Sequence, residues 1–381
     1  MAKLGELGKI ITGNTPKTSD AQNYRSNDIC FVKPSDFTDN EITEIHQSEF
    51  YISEYAKDKA RVLPTDSILV TCIGIIGKVA INKVPCAFNQ QINAIIPERK
   101  ICDPRYVAYA IQNVQPQMQN TANAAVVPIL NKTQFSNIEI PLPSLETQKQ
   151  IVEFLDKVTS LISLRKQQLA KLDELVKARF VEMFGDPVNN PMNYPKSQLG
   201  KVCDVRDGTH DSPEYYDVGY PLVTSKNVTG GKIDLSECNL ISEDDYKKIC
   251  ERSKVDRGDI IMPMIGTVGK PVIVNTEPMF AIKNVALIKF APDSLVTNIY
   301  IKTLLESDYF DRAVLDKIRG GTQKFIALGD IRKLEIILPD LKHQQCFSAF
   351  VERVDQQKQT VQQGLEKLEL MKKALMQEYF G

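Results

Sequence analysis

Almost the whole chain is written twice. The turn "IGIIGK" at Ile73–Lys78 returns as "IGTVGK" at Ile265–Lys270, 192 positions later. Leu4-Gly5 with Gly13 matches Leu199-Gly200 with Gly208 at an offset of 195. "IEIPLPSLETQKQ" from Ile138 matches "LEIILPDLKHQQC" from Leu334, and "KLDELVKARFVEMFG" ending at Gly185 matches "KLELMKKALMQEYFG" ending at Gly381, both at an offset of 196. A drift of a few residues is what loop insertions do to two copies of one unit. The period is far too long for a solenoid. It implies two homologous domains, which 381 residues accommodate.

The repeated turn is not a phosphate loop. A Walker signature needs GxxxxGK followed by Ser or Thr, because that hydroxyl ligates magnesium. Here two residues separate the glycines, and Val79 and Pro271 follow the lysines. The flanking apolar runs, "SILV" into "VAI" and "DIIM" into "PVIV", predict strands joined by hairpins.

Each copy has two parts. The heads, residues 1–144 and 196–341, alternate β-rich runs with polar stretches bearing Gly and Pro. "SILVTCI", "KVAIN", "INAIIP" and "IEIPLP" are predicted strands, as are "DIIMPMI", "PVIVN", "NVALIKF" and "LEIILP". "PRYVAYAIQNV" and "TNIYIKTLLESDYF" have helical spacing. The heads are therefore mixed α/β domains.

A long helix follows each head, over 145–185 and 342–381. In the first the apolar seam is Ile151, Leu155, Val158, Ile162, Leu169, Leu172, Val176 and Met183, interrupted by Arg165 and Arg179. In the second it is Phe347, Val351, Val354, Val361, Leu365, Leu368, Leu375 and Tyr379, interrupted by Lys358 and Lys372. Steps of three and four sustained over about five heptads predict a coiled coil. Gly364 is a glycine inside this pattern and should cost about 1 kcal/mol there. Gly185 and Gly381 stand where a glycine ends a helix in the left-handed conformation. The linker, 186–195, lies in "DPVNNPMNYPKS", whose three prolines and three asparagines forbid regular structure. Two homologous seams in one chain are each other's first partner. If a pseudo-twofold axis relates the heads, the helices pack as an antiparallel coiled coil.

Composition excludes several classes. Apolar content of 43% and charged content of 25% are ordinary for a globular protein. No apolar run is long enough to span a membrane, and "MAKLGELGKI" does not resemble a signal peptide. The eight cysteines include no C-x-x-C pair, and three histidines leave little room for zinc or a catalytic triad. Scattered free thiols fit a reducing cytoplasm. An adenine methyltransferase would need an Asn/Asp-Pro-Pro-aromatic motif; "NPMNY" at Asn190–Tyr194 has the wrong third and fourth residues. No catalytic residues, cofactor or metal site are expected.

The order of head, helix, "FGDPVNNP" linker, head and helix, with "LG…G" openings, "IGxxGK" turns and "IxxPLPxLxxQ" leads into the helices, resembles the specificity (S) subunit of type I restriction–modification enzymes over essentially the whole chain. The resemblance implies that each head is a target-recognition domain reading one half of a split, asymmetric sequence in double-stranded DNA. It implies that the helices space the heads and dock two methyltransferase (M) subunits, which recruit restriction (R) subunits. The S subunit would have no activity itself and would work in the cytoplasm of a bacterium or archaeon.

Base-edge readers are commonly Arg, Lys, Asn and Gln. The first-head candidates are Lys17, Arg25, Lys33, Lys78, Asn89, Gln90 and Gln91; the second-head candidates are Arg206, His210, Lys226, Lys270, Lys283 and Asn284, with Arg319, Thr322, Gln323 and Lys324 in "RGGTQKF". "NAAVVPIL" in the first copy stands where the second has "GGTQKFIA", and the opening loops also diverge, so two different half-sites are expected. A formal net charge of −1 is unusual for a DNA binder. It implies that partners supply much of the phosphate contact and that the isolated chain binds DNA poorly. The competing reading is a protein scaffold, two binding heads on a coiled coil with no nucleic acid.

Overall fold

The computed structural model describes residues 1–122, 127–265, 269–314 and 325–381. They divide into two compact units, Met1–Lys166 with Gln363–Gly381, and Gln167–Gln362. Each unit holds one head, the start of the helix that leaves it, and the end of the other long helix.

In the first unit a five-stranded sheet has the order 8–12, 92–97, 68–71, 79–82 and 43–45, antiparallel except for the last pair. The repeated turn closes the hairpin between 68–71 and 79–82. It uses left-handed backbone at Gly74 (φ 77°) and Gly77 (φ 86°), which is why glycine recurs there. A smaller sheet runs 51–52, 29–32, 86–88 and 62–63, with 29–32 parallel to 86–88. The helix Pro104–Asn113 buries Tyr106 through Ile111 against the larger sheet, in one core with Ile68, Val70, Val79 and Ile95.

The second unit repeats this plan. Strands 204–207, 285–289, 260–263 and 272–273 form an antiparallel sheet, and 220–223 runs parallel to 281–282 beside it. Two expectations change in detail. "TNIYIKTLLESDYF" forms two helices, Asn298–Leu305 and Asp308–Ala313. The break falls where the Ser307 hydroxyl donates to the Leu304 carbonyl at 2.6 Å, tying off the first helix. "IEIPLP" pairs only over Glu139–Ile140, against Ala2–Lys3. An unanticipated helix, Glu243–Ser253, is capped by Ser242, whose hydroxyl accepts from the Asp245 N–H at 3.1 Å.

The long helices, Leu145–Phe184 and Leu341–Phe380, have 40 residues each, or about 60 Å at 1.5 Å per residue. Gly185 follows the first with φ 74° and an N–H bonded to the Val181 carbonyl at 2.8 Å. Of the seam residues, Ile151, Leu155, Val158, Ile162, Phe347, Val351, Val354, Val361 and Leu365 are buried; Leu169, Leu172, Val176, Met183, Leu368, Leu375 and Tyr379 are half-buried. Within each unit the two helix segments are antiparallel. In the first, Ile151 and Leu155 share a core with Phe380, while Lys166 lies 3.7 Å from Glu369. In the second, Phe180 and Phe184 contact Phe347, while Lys358 pairs with Asp173 at 2.5 Å. Lys358 thus crosses the seam by ion pairing. Lys372 is half-buried, and loss of hydration pushes its pKa down.

Candidate nucleic-acid interface

Antiparallel order decides which loops meet. In the first head the ends of strands 8–12 and 68–71 and the starts of 92–97 and 79–82 lie at one edge of the sheet. That edge collects the opening loop from Gly13, the turn Asn89–Gln91 and the turn Ile73–Lys78. The Gly13 N–H donates to the Ile92 carbonyl and the Asn14 N–H to the Phe88 carbonyl, both at 3.0 Å. A Cβ on Gly13 would come within 2.0 Å of the Asn89 carbonyl oxygen, so only glycine allows the loop to lie this close.

The candidates at this edge differ in what they can offer. Gln90 is exposed, and its Oε1 accepts from the Thr15 hydroxyl at 2.7 Å, leaving its amide N–H groups free of a protein bond among those described. Asn89 is buried and donates to Gln91 at 2.8 Å, so it shapes the turn. Lys17 and Arg25 are exposed on the opening loop. Lys33 follows strand 29–32, with its ammonium 3.1 Å from the centre of the Phe50 ring. Lys78 has a side chain only 13% exposed and is paired with Asp39 at 2.6 Å. Arg61 escaped the sequence reading, yet its backbone N–H donates to Asn14 at 2.9 Å and its guanidinium bonds the Thr12 carbonyl, placing it beside the opening loop.

The second head builds the same edge from other side chains. The Gly208 N–H donates to the Val285 carbonyl at 3.1 Å and the Thr209 N–H to the Ile282 carbonyl at 3.0 Å, matching the Gly13 and Asn14 bonds. His210 therefore stands where Thr15 does; the facing turn is one residue shorter than in the first head, and Asn284 answers to Gln90 by meeting His210 as Gln90 meets Thr15. His210 Nδ1 contacts Asn284 Oδ1 at 3.0 Å, and Nε2 contacts Asp207 Oδ2 at 2.8 Å. Arg252 closes on the other oxygen of Asp207. The Asn284 amide oxygen first, then the Asp207 carboxylate, raises the pKa of His210, because imidazolium alone can donate from both nitrogens. Asn284 holds φ at 55°, a left-handed conformation that asparagine tolerates.

Lys283 donates to the Ser212 hydroxyl at 2.7 Å, joining this cluster. Lys270 is exposed at the hairpin. Arg206 turns away, bonding Asp204 and the Arg252 carbonyl. Lys226 is exposed two residues beyond Thr224. The backbone frame matches Thr224 to Lys33, since the Thr224 N–H bonds Asn227 Oδ1 at 3.0 Å as the Lys33 N–H bonds Asp36 Oδ2 at 2.7 Å. Arg319, Thr322, Gln323 and Lys324 lie outside the described residues. Thr15 and Asp207 were missed by a search for long polar side chains. Thr15 was within reach, because it stands two residues after Gly13 as His210 does after Gly208.

A family model described as the type I restriction modification DNA specificity domain matches residues 1–174 and again 191–370. The chain belongs to this DNA-specificity family. As a member it is a DNA-recognition component of a restriction–modification complex, working with methyltransferase and restriction subunits, and is itself non-catalytic. It is 26% identical over 380 residues to the type I restriction enzyme MjaIX specificity subunit of Methanocaldococcus jannaschii, covering 92% of this chain and 85% of that one. It is 21% identical over 384 residues to the EcoKI specificity subunit of Escherichia coli K12, covering 93% and 81%. The fold matches the crystal structure of a type I restriction–modification S subunit from M. genitalium at a TM-score of 0.57 and 13% identity, covering 100% of this chain and 95% of that one. Among the described residues no helix is long and apolar enough to cross a membrane.

Proposed function

We propose that each head reads one half of a bipartite, non-palindromic DNA target through the sheet edge just described. The observation that carries this is the pairing of Thr15–Gln90 in one head with His210–Asn284 in the other: one backbone frame, two different sets of donors and acceptors. Gln90 and Asn284 have the amides that bind adenine edges in a major groove, and the Lys283 ammonium adds a donor suited to guanine acceptors, while His210, with both ring nitrogens engaged, braces Asn284. Lys17, Arg25, Lys226 and Lys270 are exposed and suit phosphate contact, which positions a reader without specifying sequence.

The long helices set the distance between half-sites and dock two methyltransferase subunits. Phe154, Leu161 and Leu164 in the first unit, and Leu175 in the second, are exposed on the first long helix outside its seam, and Leu370 and Met371 on the second. Apolar groups of this size on a helix already paired along its seam support a further protein contact. The assembly works in the cytoplasm, and the partners contribute phosphate contacts that a chain of net charge −1 lacks.

Selecting bound sites from random DNA with the chain in complex with its methyltransferase partner tests this. Two unlike half-sites at one separation are expected. A palindrome, or a single uninterrupted site, would contradict it. Inserting one heptad into each helix, near Leu169 and Leu365, adds about 10 Å and should favour a spacer about three base pairs longer.

A further inference from the structure

Both long helices begin with the same buried amide. Gln148 has no exposed surface, and its Oε1 accepts from the Asp103 N–H at 2.9 Å. Its Nε2 donates to the Ile101 carbonyl at 3.1 Å and the Pro143 carbonyl at 2.9 Å. Gln344 is equally buried, and its Oε1 accepts from the Thr297 N–H at 2.8 Å. Its Nε2 donates to the Leu295 carbonyl at 3.0 Å and the Pro339 carbonyl at 2.8 Å. Both N–H donors of each amide are used.

A tyrosine completes each arrangement. The Tyr106 hydroxyl donates to the Pro141 carbonyl at 3.0 Å, and the Tyr300 hydroxyl to the Ile337 carbonyl at 2.9 Å. Their buried rings reach the end of the other long helix: Tyr106 meets Phe380 with centroids 5.2 Å apart, and Tyr300 meets Phe184 at 5.1 Å. In each unit four directional bonds therefore tie the cap of the head's own helix, the crossing from strand to long helix, and the long helix itself.

An apolar seam alone leaves a helix free to slide or rotate by small amounts, because burial has no direction. A fully satisfied buried amide removes that freedom, since any shift leaves polar groups unpaired out of water. The geometry points to Gln148 and Gln344, with Tyr106 and Tyr300, as positioning residues: they hold each head at a fixed angle and register on its helix and thereby limit the spacer lengths the protein accepts. They touch no DNA. This role rests on the bipartite reading proposed above.

The test uses the chain in complex with its methyltransferase partner and a DNA library with both half-sites constant and the spacer varied in single base pairs. Gln148→Met and Gln344→Met remove the amides, while Tyr106→Phe and Tyr300→Phe remove only a hydroxyl. The expected result is unchanged base preference in both half-sites, with spacers one base pair shorter or longer selected several-fold more often than by the parental complex. If the methionine variants fail to fold, the phenylalanine variants carry the test alone. A spacer distribution identical to the parental one overturns the positioning role, as does blurred base preference with the spacer intact. A parental complex that selects no spaced pair contradicts the bipartite reading itself, and the positioning role falls with it.

Discussion

The helix starts and the sheet edges of the two heads are built on opposite terms. At the helix start, Gln148 and Gln344 make the same three bonds to main-chain atoms at nearly the same lengths. At the sheet edge the backbone is again shared, but Thr15–Gln90 faces His210–Asn284, and only the latter draws in an aspartate and an arginine. A buried side chain bonded to main chain has one solution, whereas a side chain at a solvent edge bonded to another side chain has many. The chain can therefore repeat its frame and vary its readers.

The shared frame is not equally reinforced, and breaking it should show the largest effect. Phe184 meets the rings of Phe180, Tyr300 and Phe347, whereas its counterpart Phe380 meets Tyr106 alone among the described residues. Truncating a buried phenylalanine costs about 3–5 kcal/mol, and each ring pair adds about 0.5–1.5 kcal/mol beyond burial. Phe184→Ala should therefore cost more in urea unfolding than Phe380→Ala. Equal losses would mean that the extra rings add nothing.

The readers come next. Gln90→Ala should weaken discrimination of the first half-site by about 1–3 kcal/mol, and His210→Ala should do so for the second. Lys17→Ala should lower affinity for all sequences alike and reduce the magnitude of the salt slope by about 1. Competition binding at two salt concentrations separates the two kinds of residue; a base-specific effect at Lys17 would contradict its assignment to phosphate.

Legibility followed the same division. The repeat, the hairpin at each Gly-Lys turn and the helix seams were readable because apolar spacing and glycine geometry report directly on backbone. Gln148 and Gln344 were legible only as the shared end of the "IxxPLPxLxxQ" lead: in "LETQKQ" and "LKHQQC" nothing marks that glutamine as buried rather than solvated like those beside it. The Glu243–Ser253 helix was missed because "EDDYKKICERS" is mostly charged, with few apolar positions to mark a face. The edge itself was half legible. Long polar side chains pointed to Gln90 and His210, but only strand order shows that each meets a residue of the opposite loop, and that Arg206 points elsewhere.

A pH change should separate the heads with a smaller effect. His210 has its pKa raised by Asn284 and Asp207, so bracing by imidazolium is complete below about pH 6.5 and is lost as pH rises through the raised folded value. Discrimination of the second half-site should fall as the pH rises above about 6.5, while Thr15–Gln90 has no group titrating there and the first should hold. Parallel pH profiles for the two half-sites would contradict this. The smallest effect concerns the helices: a Cβ on Gly364 would meet nothing nearer than Arg165 Nε at 3.9 Å. Gly364→Ala should therefore raise the melting temperature, stabilising by up to about 1 kcal/mol.

Independence of the two heads is the central claim, and a methylation profile tests it most directly. Modified sites are sequenced across a genome for the parental chain, Gln90→Ala and His210→Ala, each in complex with the same methyltransferase partner. Gln90→Ala should relax bases in one half-site and leave the other half-site and the spacer unchanged; His210→Ala should do the reverse. A single substitution that blurs both half-sites together would contradict two separate readers on one frame.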